Sequence, residues 1–428
     1  MLLRENARRG RRVFTGWKVV ASSSVVWGLQ SMLWMQGYGN LAVELRDRFG
    51  WSKTLFSLAF AGTRTQAAVM GPFQGRAIER YGIRIVMRLG AVISAIGFLW
   101  LSQVDTRTQF VLAMAVTTIG MTMIGFLTIT AGTVTWFERR RARALSIQSM
   151  GFAIGGFAGP IVVVGYRWVG WRSTTAVAGV ALAAIAWWAA SIVGRSRSET
   201  GEPVDGIDPS DLVHEPRAEG VQDRHFTAEQ AIRTRAFWMI SLGHGSALLV
   251  VSSSMAHLAL YLTEDRDYSA GRAALVAGLV PVFQLIGTGA GGYLGDRINK
   301  RLIAGIAMLS HGIGLLLLTW VQHWGAIAAF VVMHGFAWGV RGPQMQAIRA
   351  DYFGATSFAR IMGYSSMIVT MFAVTGPILA GTLADATGDY QLGFTILAIA
   401  AMAGSVFWAL ASPPDGRPAA AAIATTPN

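Results

Sequence analysis

The stretch Gly75-Arg-Ala-Ile-Glu79-Arg80 is the most informative part of the sequence, because a second version of it, Gly292-Tyr-Leu-Gly-Asp296-Arg297, follows 217 positions later. In both versions a glycine precedes a carboxylate residue and then an arginine at the same spacing. Two further pairs repeat at this offset to within one residue: Trp136-Phe137 with Tyr352-Phe353, and Gly159-Pro160 with Gly376-Pro377. The shared offset indicates that the chain consists of two similar halves.

The composition around these repeats is typical of a membrane protein. Of the 428 residues, 53% are hydrophobic and only 14% are charged, and the mean hydropathy is +0.44. Apolar runs of about 20 residues, long enough to cross about 30 Å of hydrocarbon, recur along the chain. We predict an all-α integral membrane protein with twelve transmembrane spans, numbered in chain order at roughly 16–41, 51–76, 83–103, 108–134, 143–166, 171–194, 236–263, 271–295, 301–321, 324–348, 357–383 and 389–412.

The basic residues predict how the spans are oriented. They are concentrated before span 1, in the loops between spans 2 and 3, 4 and 5, and 8 and 9, and after span 6. The opposite side carries fewer: Arg46, Arg48, Lys53, Arg107, Arg167, Arg172, Arg266 and Arg272. Because positive residues favour the cytoplasmic side, we expect both termini in the cytoplasm and the spans in the plasma membrane, or in the inner membrane of a bacterium. The basic loops of both halves then share one side, so the repeat is parallel.

The repeat also predicts the domain organisation. Residues 1–194 form an N-terminal six-helix bundle and residues 236–412 a C-terminal one. Residues 195–235 are a long polar insertion, which we interpret as a flexible cytoplasmic linker. Near its end, Thr227-Ala-Glu-Gln230 has the spacing of a helix capping box. Residues 413–428 are rich in alanine and proline, and we expect a disordered cytoplasmic tail.

The sequence argues against several other classes of function. The net charge is +13, but the arginines lie in short blocks between apolar runs, a pattern that argues against nucleic-acid binding. The sequence contains no cysteine, which excludes disulfides and thiolate metal sites. Metal-ligand spacings, paired carboxylates and nucleophile–base sets are also missing from it. We therefore expect neither an enzyme nor a bound cofactor or metal.

The repeated stretch carries a family resemblance. Gly75, Glu79, Arg80, Gly82 and Arg84 follow the pattern Gly-x-x-x-Asp-Arg-x-Gly-x-Arg, with glutamate in place of aspartate. The second version keeps Gly292, Asp296 and Arg297. At these residues the sequence resembles the major facilitator superfamily across essentially the whole span region. The resemblance implies that both loops form a cytoplasmic gate that breaks and reforms during alternating access. The alternative is that the loops only set the topology.

Other motifs resemble the monocarboxylate and oxalate/formate branch of that superfamily. They are Gly16-Trp17, Phe49-Gly50-Trp51-Ser52, Trp136-Phe137 before span 5, and Gly376-Pro377 in span 11. Thr15 departs from the branch, which often has an acidic residue there. Span 8 lacks the embedded aspartate–arginine pair of the animal carriers, and span 11 lacks the lysine of the oxalate exchanger. The resemblance therefore does not transfer a substrate or a coupling mode.

Arg64 is the sharpest candidate for a substrate-binding residue. It lies near the middle of predicted span 2, where a charged side chain costs roughly 2.5–3.5 kcal/mol. The predicted spans contain no aspartate or glutamate at matching depth. An anionic substrate would supply the missing charge through bidentate hydrogen bonds from the guanidinium to a carboxylate. The alternative is a structural role, with Arg64 bonded to helix carbonyls and hydroxyls.

Two helix faces are candidate walls of the same site. His334, Trp338 and Arg341 are spaced i, i+4, i+7 on span 10, a span that lines the central cavity in the superfamily. The alternative for Arg341 is that it snorkels to the membrane interface. A stripe on span 1 contains Gln30, Trp34 and Tyr38, with packing as the alternative. We assign Arg349 to a loop, and His244, His257 and His311 to structural roles.

We predict a secondary active transporter of a small organic anion, a mono- or dicarboxylate, in which two bundles rock around a midplane site. Coupling is proton symport or anion exchange, and we expect a monomer in the lipid bilayer. The predicted substrate-binding residues are Arg64, Arg341, His334, Trp338, Tyr38, Trp34 and Gln30, and the predicted gating residues are Gly75, Glu79, Arg80, Gly82, Arg84, Gly292, Asp296 and Arg297. The alternatives are an exporter of drug-like or hydrophobic compounds with the same fold and a non-transporting membrane sensor.

Overall fold

The computed structural model describes residues 13–35, 37–207 and 225–414, and within these ranges all regular secondary structure is helical. The helices fall at the predicted positions, so the span numbers are kept. Their bounds are Thr15–Gln30 and Gly37–Phe49 (span 1), Lys53–Leu101 (spans 2 and 3), Arg107–Ile124 and Phe126–Val134 (span 4), Arg141–Phe157 and Gly159–Val169 (span 5), Trp171–Val193 (span 6), Arg235–Glu264 (span 7), Ala270–Gly295 (span 8), Lys300–Trp320 (span 9), Trp324–Phe353 (span 10), Phe358–Thr387 (span 11) and Gln391–Leu410 (span 12).

Ten helical segments in the described chain are long and apolar enough to cross a membrane. Spans 2 and 3 count as one of them, because they form a continuous run that kinks at Gly82, where φ is 80° and ψ is 158°. Glycine adopts this positive φ without steric cost. Span 1 is not among the ten, because a π-helix, Ser31–Met35, interrupts it. The prediction of an all-helical, twelve-span fold in two halves is confirmed.

The hydrophobic core is divided between the halves. We call spans 1–6 the N half and spans 7–12 the C half. One cluster of buried residues lies within the N half and includes Phe110 and Trp136. A second lies within the C half and includes Phe394 and Trp408. A third, smaller cluster joins the two halves: Ile78, Val86, Leu127, Ala131, Val134 and Leu145 with Ala347, Ala350, Phe358, Ala359 and Met362.

Spans 2 and 11 bring the halves together through glycine. A Cβ atom added to Gly75 would lie 2.5 Å from the Cα of Arg360, and one added to Gly71 would lie 2.9 Å from the carbonyl oxygen of Gly363. Carbon atoms need about 3.5–4.0 Å, so only glycine permits this approach of the two backbones. The contact lies toward the end of the molecule that carries the arginine-rich loops, which we call the basic end.

Spans 5 and 8 make the repeat-related contact at the same end. A Cβ on Gly292 of span 8 would lie 2.8 Å from the Cβ of Ser146 in span 5. Next to it, Asp351 at the end of span 10 pairs with Arg141 of span 5 and with Lys300 of span 9, the latter at 2.9 Å. The basic end is therefore closed by two helix pairs and by a partly buried ion cluster.

The start of the predicted linker is docked on the N half rather than flexible. The carboxylate of Glu202 accepts hydrogen bonds from the amide and the hydroxyl of Thr15, at 2.8 and 2.7 Å, and so caps span 1. Asp205 is 4% exposed and accepts amide hydrogen bonds at the entry to span 5. The donors are Glu138, Arg139 and Arg140, at 3.2, 2.9 and 3.1 Å. These contacts hold residues 195–207 in place.

The end of the linker is attached to the C half. The predicted capping box at Thr227 is confirmed, with Gln230 as its reciprocal partner and a short helix, Ala228–Ile232, behind it. Glu229 of this helix pairs with Arg360 at the start of span 11. Residues 208–224 and the tail from residue 415 lie outside the described residues.

Candidate functional site

Arg64 lies on the face of span 2 that points toward the C half. Positions 7 and 11 residues further along an α-helix return to the same face within about 20°, and Gly71 and Gly75 at those positions contact span 11. Arg64 is half-buried. Its guanidinium carbon lies 4.8 Å from the centre of the Phe60 ring. Within the described residues the side chain makes no hydrogen bond or ion pair.

Tyr38 is connected to Arg64 through Phe60. The Tyr38 and Phe60 rings stack at 4.9 Å between centroids, with an angle of 26° between their planes. The Tyr38 hydroxyl donates to the carbonyl oxygen of Phe56 at 2.7 Å. Tyr38, Phe60 and Arg64 thus form a continuous aromatic–cationic column on spans 1 and 2, with the cation at its end.

The other two residues of the span 1 stripe lie inside the N half. Trp34 packs edge-on against Phe98 of span 3 at 5.9 Å and is 9% exposed. Gln30 donates to the carbonyl oxygen of Met121 at 2.6 Å, beside the break in span 4 at Gly125. For Trp34 and Gln30 these contacts favour the packing alternative.

Span 10 carries two buried arginines. Arg341 and Arg349 are each 1% exposed. Arg349 donates to the carbonyl oxygen of Met345 at 2.6 Å, to the Ser365 hydroxyl at 2.7 Å and to His244 at 3.4 Å. Arg341 has an Nε and an Nη1 that are buried without a hydrogen-bond partner. The assignment of Arg349 to a loop is therefore wrong.

Histidines lie near both arginines, His244 beside Arg349 and His311 and His334 near Arg341. The Nδ1 atoms of His311 and His334 lie 3.0 Å apart, and the Nε2 atom of each is buried without a partner. His244 on span 7 is half-buried, and so is Trp338 on span 10. We call Arg341, Arg349, His244, His311 and His334 the C-half basic cluster. Within the described residues none of its members pairs with a carboxylate.

Asp296 is the predicted gating residue with the clearest contacts between halves. Its carboxylate accepts hydrogen bonds from the amides of Ala142 and Arg143 at the start of span 5, at 2.9 and 3.3 Å. A carboxylate at a helix N-terminus is favoured by the helix dipole. Burial raises the pKa of Asp296 to about 6, although those amides, Lys300 and the Arg143 side chain oppose the rise.

The first version of the motif makes weaker contacts. Glu79 is exposed. Arg84 pairs with Glu199 of the linker at 3.1 Å, on the N half itself. Arg80 and Arg297 lie over the rings of the adjacent Tyr81 and Tyr293, at 5.3 and 3.6 Å. Of the predicted gating residues, Gly75, Glu79, Gly292 and Asp296 thus lie at the contact between halves. The structure does not bring Arg80 and Arg297 to it.

Three charged residues important to this arrangement escaped sequence reasoning. Arg349 follows Arg341 by eight residues, about two helical turns further along and 80° around the helix, so a longer span 10 would have placed both arginines on one side of it. Asp351 and Asp205 gave no such signal, because their partners are distant in sequence. In the described residues no group of three or more potential ligands is placed to hold a metal ion.

The sequence pattern of the Major Facilitator Superfamily matches residues 13–280 and, in a second match, residues 240–427. The chain belongs to the major facilitator superfamily. As a major facilitator protein it is an integral membrane transporter of small molecules and not an enzyme. Together the two matches cover all twelve spans.

Curated relatives of this major facilitator protein agree with the predicted branch. It is 24% identical over 404 residues to Monocarboxylate transporter 13 of Bos taurus, covering 91% of this chain and 88% of that one. It is 21% identical over 403 residues to the Oxalate:formate antiporter of Oxalobacter formigenes, covering 90% and 89%. The structure of a bacterial homologue of the iron transporter ferroportin in an outward-facing state matches with a TM-score of 0.73, over 94% of this chain and 100% of that one. At 13% identity that match shows the fold alone.

Proposed function

We propose that this major facilitator protein is a secondary active transporter of a small organic anion, a mono- or dicarboxylate. The observation that carries the proposal is Arg64, a half-buried arginine that faces the C half without a counter-ion in the described part of the chain. The names of the full-length relatives, a monocarboxylate transporter and an oxalate:formate antiporter, support the same substrate class.

The energetics of Arg64 favour an anionic ligand. An arginine at membrane depth costs roughly 2.5–3.5 kcal/mol on insertion scales, and its contact with Phe60 offsets only part of this. A bound carboxylate would supply both the opposite charge and two parallel hydrogen-bond acceptors. The substrate would therefore complete a site that is electrostatically unbalanced when empty.

The closed basic end supports transport by alternating access. Arg64 lies on the far side of the Gly71 contact from the basic end, about 10 Å along the helix. If the basic end is cytoplasmic, as the arginine distribution favours, this conformation exposes Arg64 toward the outside. Rocking of the halves would break the contacts at Gly75, Gly292 and Asp296 and open the same site to the cytoplasm.

The coupling mode is proton symport or anion exchange. Symport would use a histidine or the substrate itself to carry the proton, because the described spans have no carboxylate at the depth of Arg64. Exchange needs only that the empty carrier reorients slowly. We propose a monomer in the plasma membrane with cytoplasmic termini.

Uptake into proteoliposomes tests this function. Labelled mono- and dicarboxylates would be presented with and without a proton gradient to the native protein, Arg64→Gln and Arg64→Lys. Loss of a charged, bidentate contact should lower uptake efficiency about ten- to hundredfold in Arg64→Gln. Arg64→Lys keeps the positive charge but not the planar guanidinium that donates two parallel hydrogen bonds, so its uptake efficiency should fall by less. Arg107→Gln, at an exposed arginine of span 4, serves as the matched control.

The outcome separates this function from export of hydrophobic compounds. An exporter of neutral or cationic lipophiles would not require Arg64, so the Gln variant would transport them as the native protein does. Carboxylate uptake that is saturable but unchanged in Arg64→Gln would remove the anion-site argument. A proton gradient that accelerates uptake would favour symport, and acceleration by internal carboxylate would favour exchange.

A further inference from the structure

The C-half basic cluster presents positive charge that the described protein does not neutralise. Arg341 and Arg349 are both almost completely buried, at 1% exposure each. The nearest carboxylate in sequence, Asp351, is already engaged by Arg141 and Lys300 at the basic end. Burying two guanidinium groups without an anion is costly, since a buried charge is normally paired.

Neutral groups satisfy only part of this cluster. Arg349 is held by a carbonyl, a hydroxyl and an imidazole nitrogen. Arg341 has two nitrogen atoms, Nε and Nη1, that are buried without any acceptor. The Nε2 atoms of His311 and His334 are likewise buried and unpartnered. Buried donors in folded proteins nearly always have an acceptor. The two unpartnered nitrogen atoms of Arg341 therefore indicate an acceptor that the described protein does not supply.

The cluster is not enclosed on every side. His244, which contacts Arg349, is half-buried, unlike the two arginines. Beside Arg341, a Cβ added to Gly342 would meet no atom within 4 Å, so there is open space next to the cluster. Trp338, one turn before Gly342 on the same helix face, is also half-buried. A small anion could therefore approach along this face of span 10.

We propose that the C half contains a second anion-binding site, formed by Arg341, Arg349 and His244, which takes a carboxylate group. The inference rests on the proposed function, in which Arg64 of the N half binds the first carboxylate. The second carboxylate comes either from the other end of a dicarboxylate or from a separate monocarboxylate. With one anion-binding group on each half, a bound ligand would draw the halves together. The negative charge of the ligand would neutralise the arginines on both sides of the cavity.

Direct binding to the purified full-length protein tests the second site. Labelled acetate and labelled malonate would be titrated against the native protein, Arg64→Gln, Arg341→Gln and the double variant. We expect two acetates per native chain, one per single variant and none for the double variant. If one dicarboxylate bridges the two sites, the native protein should bind one malonate per chain. Either single variant should then bind malonate at least tenfold more weakly than the native protein does. Separate sites give two malonates per chain.

Further variants guard against a folding defect. Arg349→Lys and His244→Gln make milder changes, and each should weaken binding at the second site while leaving one acetate on Arg64. Arg272→Gln, at an exposed arginine of span 8, should bind as the native protein does. Acetate should raise the thermal midpoint of the native protein more than that of Arg341→Gln, because a ligand stabilises the form that binds it.

The possible failures are distinguishable. If Arg64→Gln loses all binding while the Arg341, Arg349 and His244 variants bind as the native protein does, the second site is refuted and the proposed function stands. If Arg64→Gln binds like the native protein and the cluster variants do not, the second site stands and the Arg64 site fails. A native protein that binds neither acetate nor malonate contradicts both.

Discussion

Replacing Gly75 by alanine should open the basic end. The added Cβ would lie 2.5 Å from the Cα of Arg360 and 2.7 Å from the carbonyl oxygen of Ala359. Both atoms belong to backbone and cannot rotate away, so spans 2 and 11 must separate by about 1 Å to reach normal contact distance. Overpacking of this kind costs about 1–3 kcal/mol. Because the cost applies only to the closed conformation, the open one should gain about 5- to 150-fold in relative population.

A cysteine at Ser146 would report this change. The chain has no cysteine of its own, and Ser146 is 2% exposed in the contact between spans 5 and 8. A maleimide should therefore react with Ser146→Cys only when the basic end opens. We expect its rate to rise in Gly75→Ala by a factor within the range above. Because Ser146 lies on the other helix pair, a faster rate would also show that the two contacts open together.

Gly62→Ala is the matched control. Gly62 lies on the same span, is exposed, and would place its added Cβ more than 4 Å from every other side chain or distant backbone atom. Labelling of Ser146→Cys at the native rate in both the Gly62→Ala and the Gly75→Ala backgrounds would show that the glycine contact does not hold the basic end closed. Faster labelling in both would mean that helix propensity, rather than the contact, is responsible.

Three further perturbations act on charges at the basic end, read by the same labelling of Ser146→Cys unless stated. The closed-state pKa of Asp296 is about 6, above the value of about 3.9 for a solvated aspartate. The closed form therefore binds the proton more tightly, and protonation of Asp296 stabilises it. Acidification from neutral pH to about 5 should thus slow the labelling of Ser146→Cys, measured relative to the labelling of an exposed cysteine. Asp296→Asn should abolish this pH dependence of the labelling rate. Asp351→Asn leaves Arg141 and Lys300 without their anionic partner in a partly buried site, which should speed the labelling of Ser146→Cys. High salt should then change the labelling rate less than it does in the native protein. Asp205→Ala removes the acceptor for the amides before span 5 and should lower stability by about 1–3 kcal/mol in thermal unfolding, whereas Asp47→Ala at an exposed side chain should change little.

The fold could be predicted from the sequence because its signals are local or periodic. Apolar run length gave the spans, and the spacing of two glycine–carboxylate–arginine motifs gave the parallel repeat. The structure adds a reason for the glycines: Gly75 and Gly292 each lie where a helix of the other half approaches too closely for a side chain. Local spacing also predicted the capping box at Thr227.

The site was less predictable, because periodicity gives a helix face but not the neighbour that it meets. Gln30 and Tyr38 lie on one stripe of span 1, yet Gln30 bonds a carbonyl of span 4 and Tyr38 stacks on span 2. The docking of Asp205 could not be predicted, since backbone amides more than sixty residues away carry no sequence signature. Arg349 was missed because the end of span 10 was placed before it, and Gly354, with φ of 82°, marks the true end.

The approach of Gly71 to Gly363 has a consequence for the speed of the transport cycle. Each residue presents only backbone to the other, so no side chains interlock at this pair, and parting the two glycines requires no rotamer changes. The activation barrier should then come from the other contacts between the halves, which are the apolar cluster that joins them and the ion pairs of Asp351. Ionic strength should consequently affect how fast the carrier turns over, while the volume of the residue at the glycine positions governs which way it faces at rest.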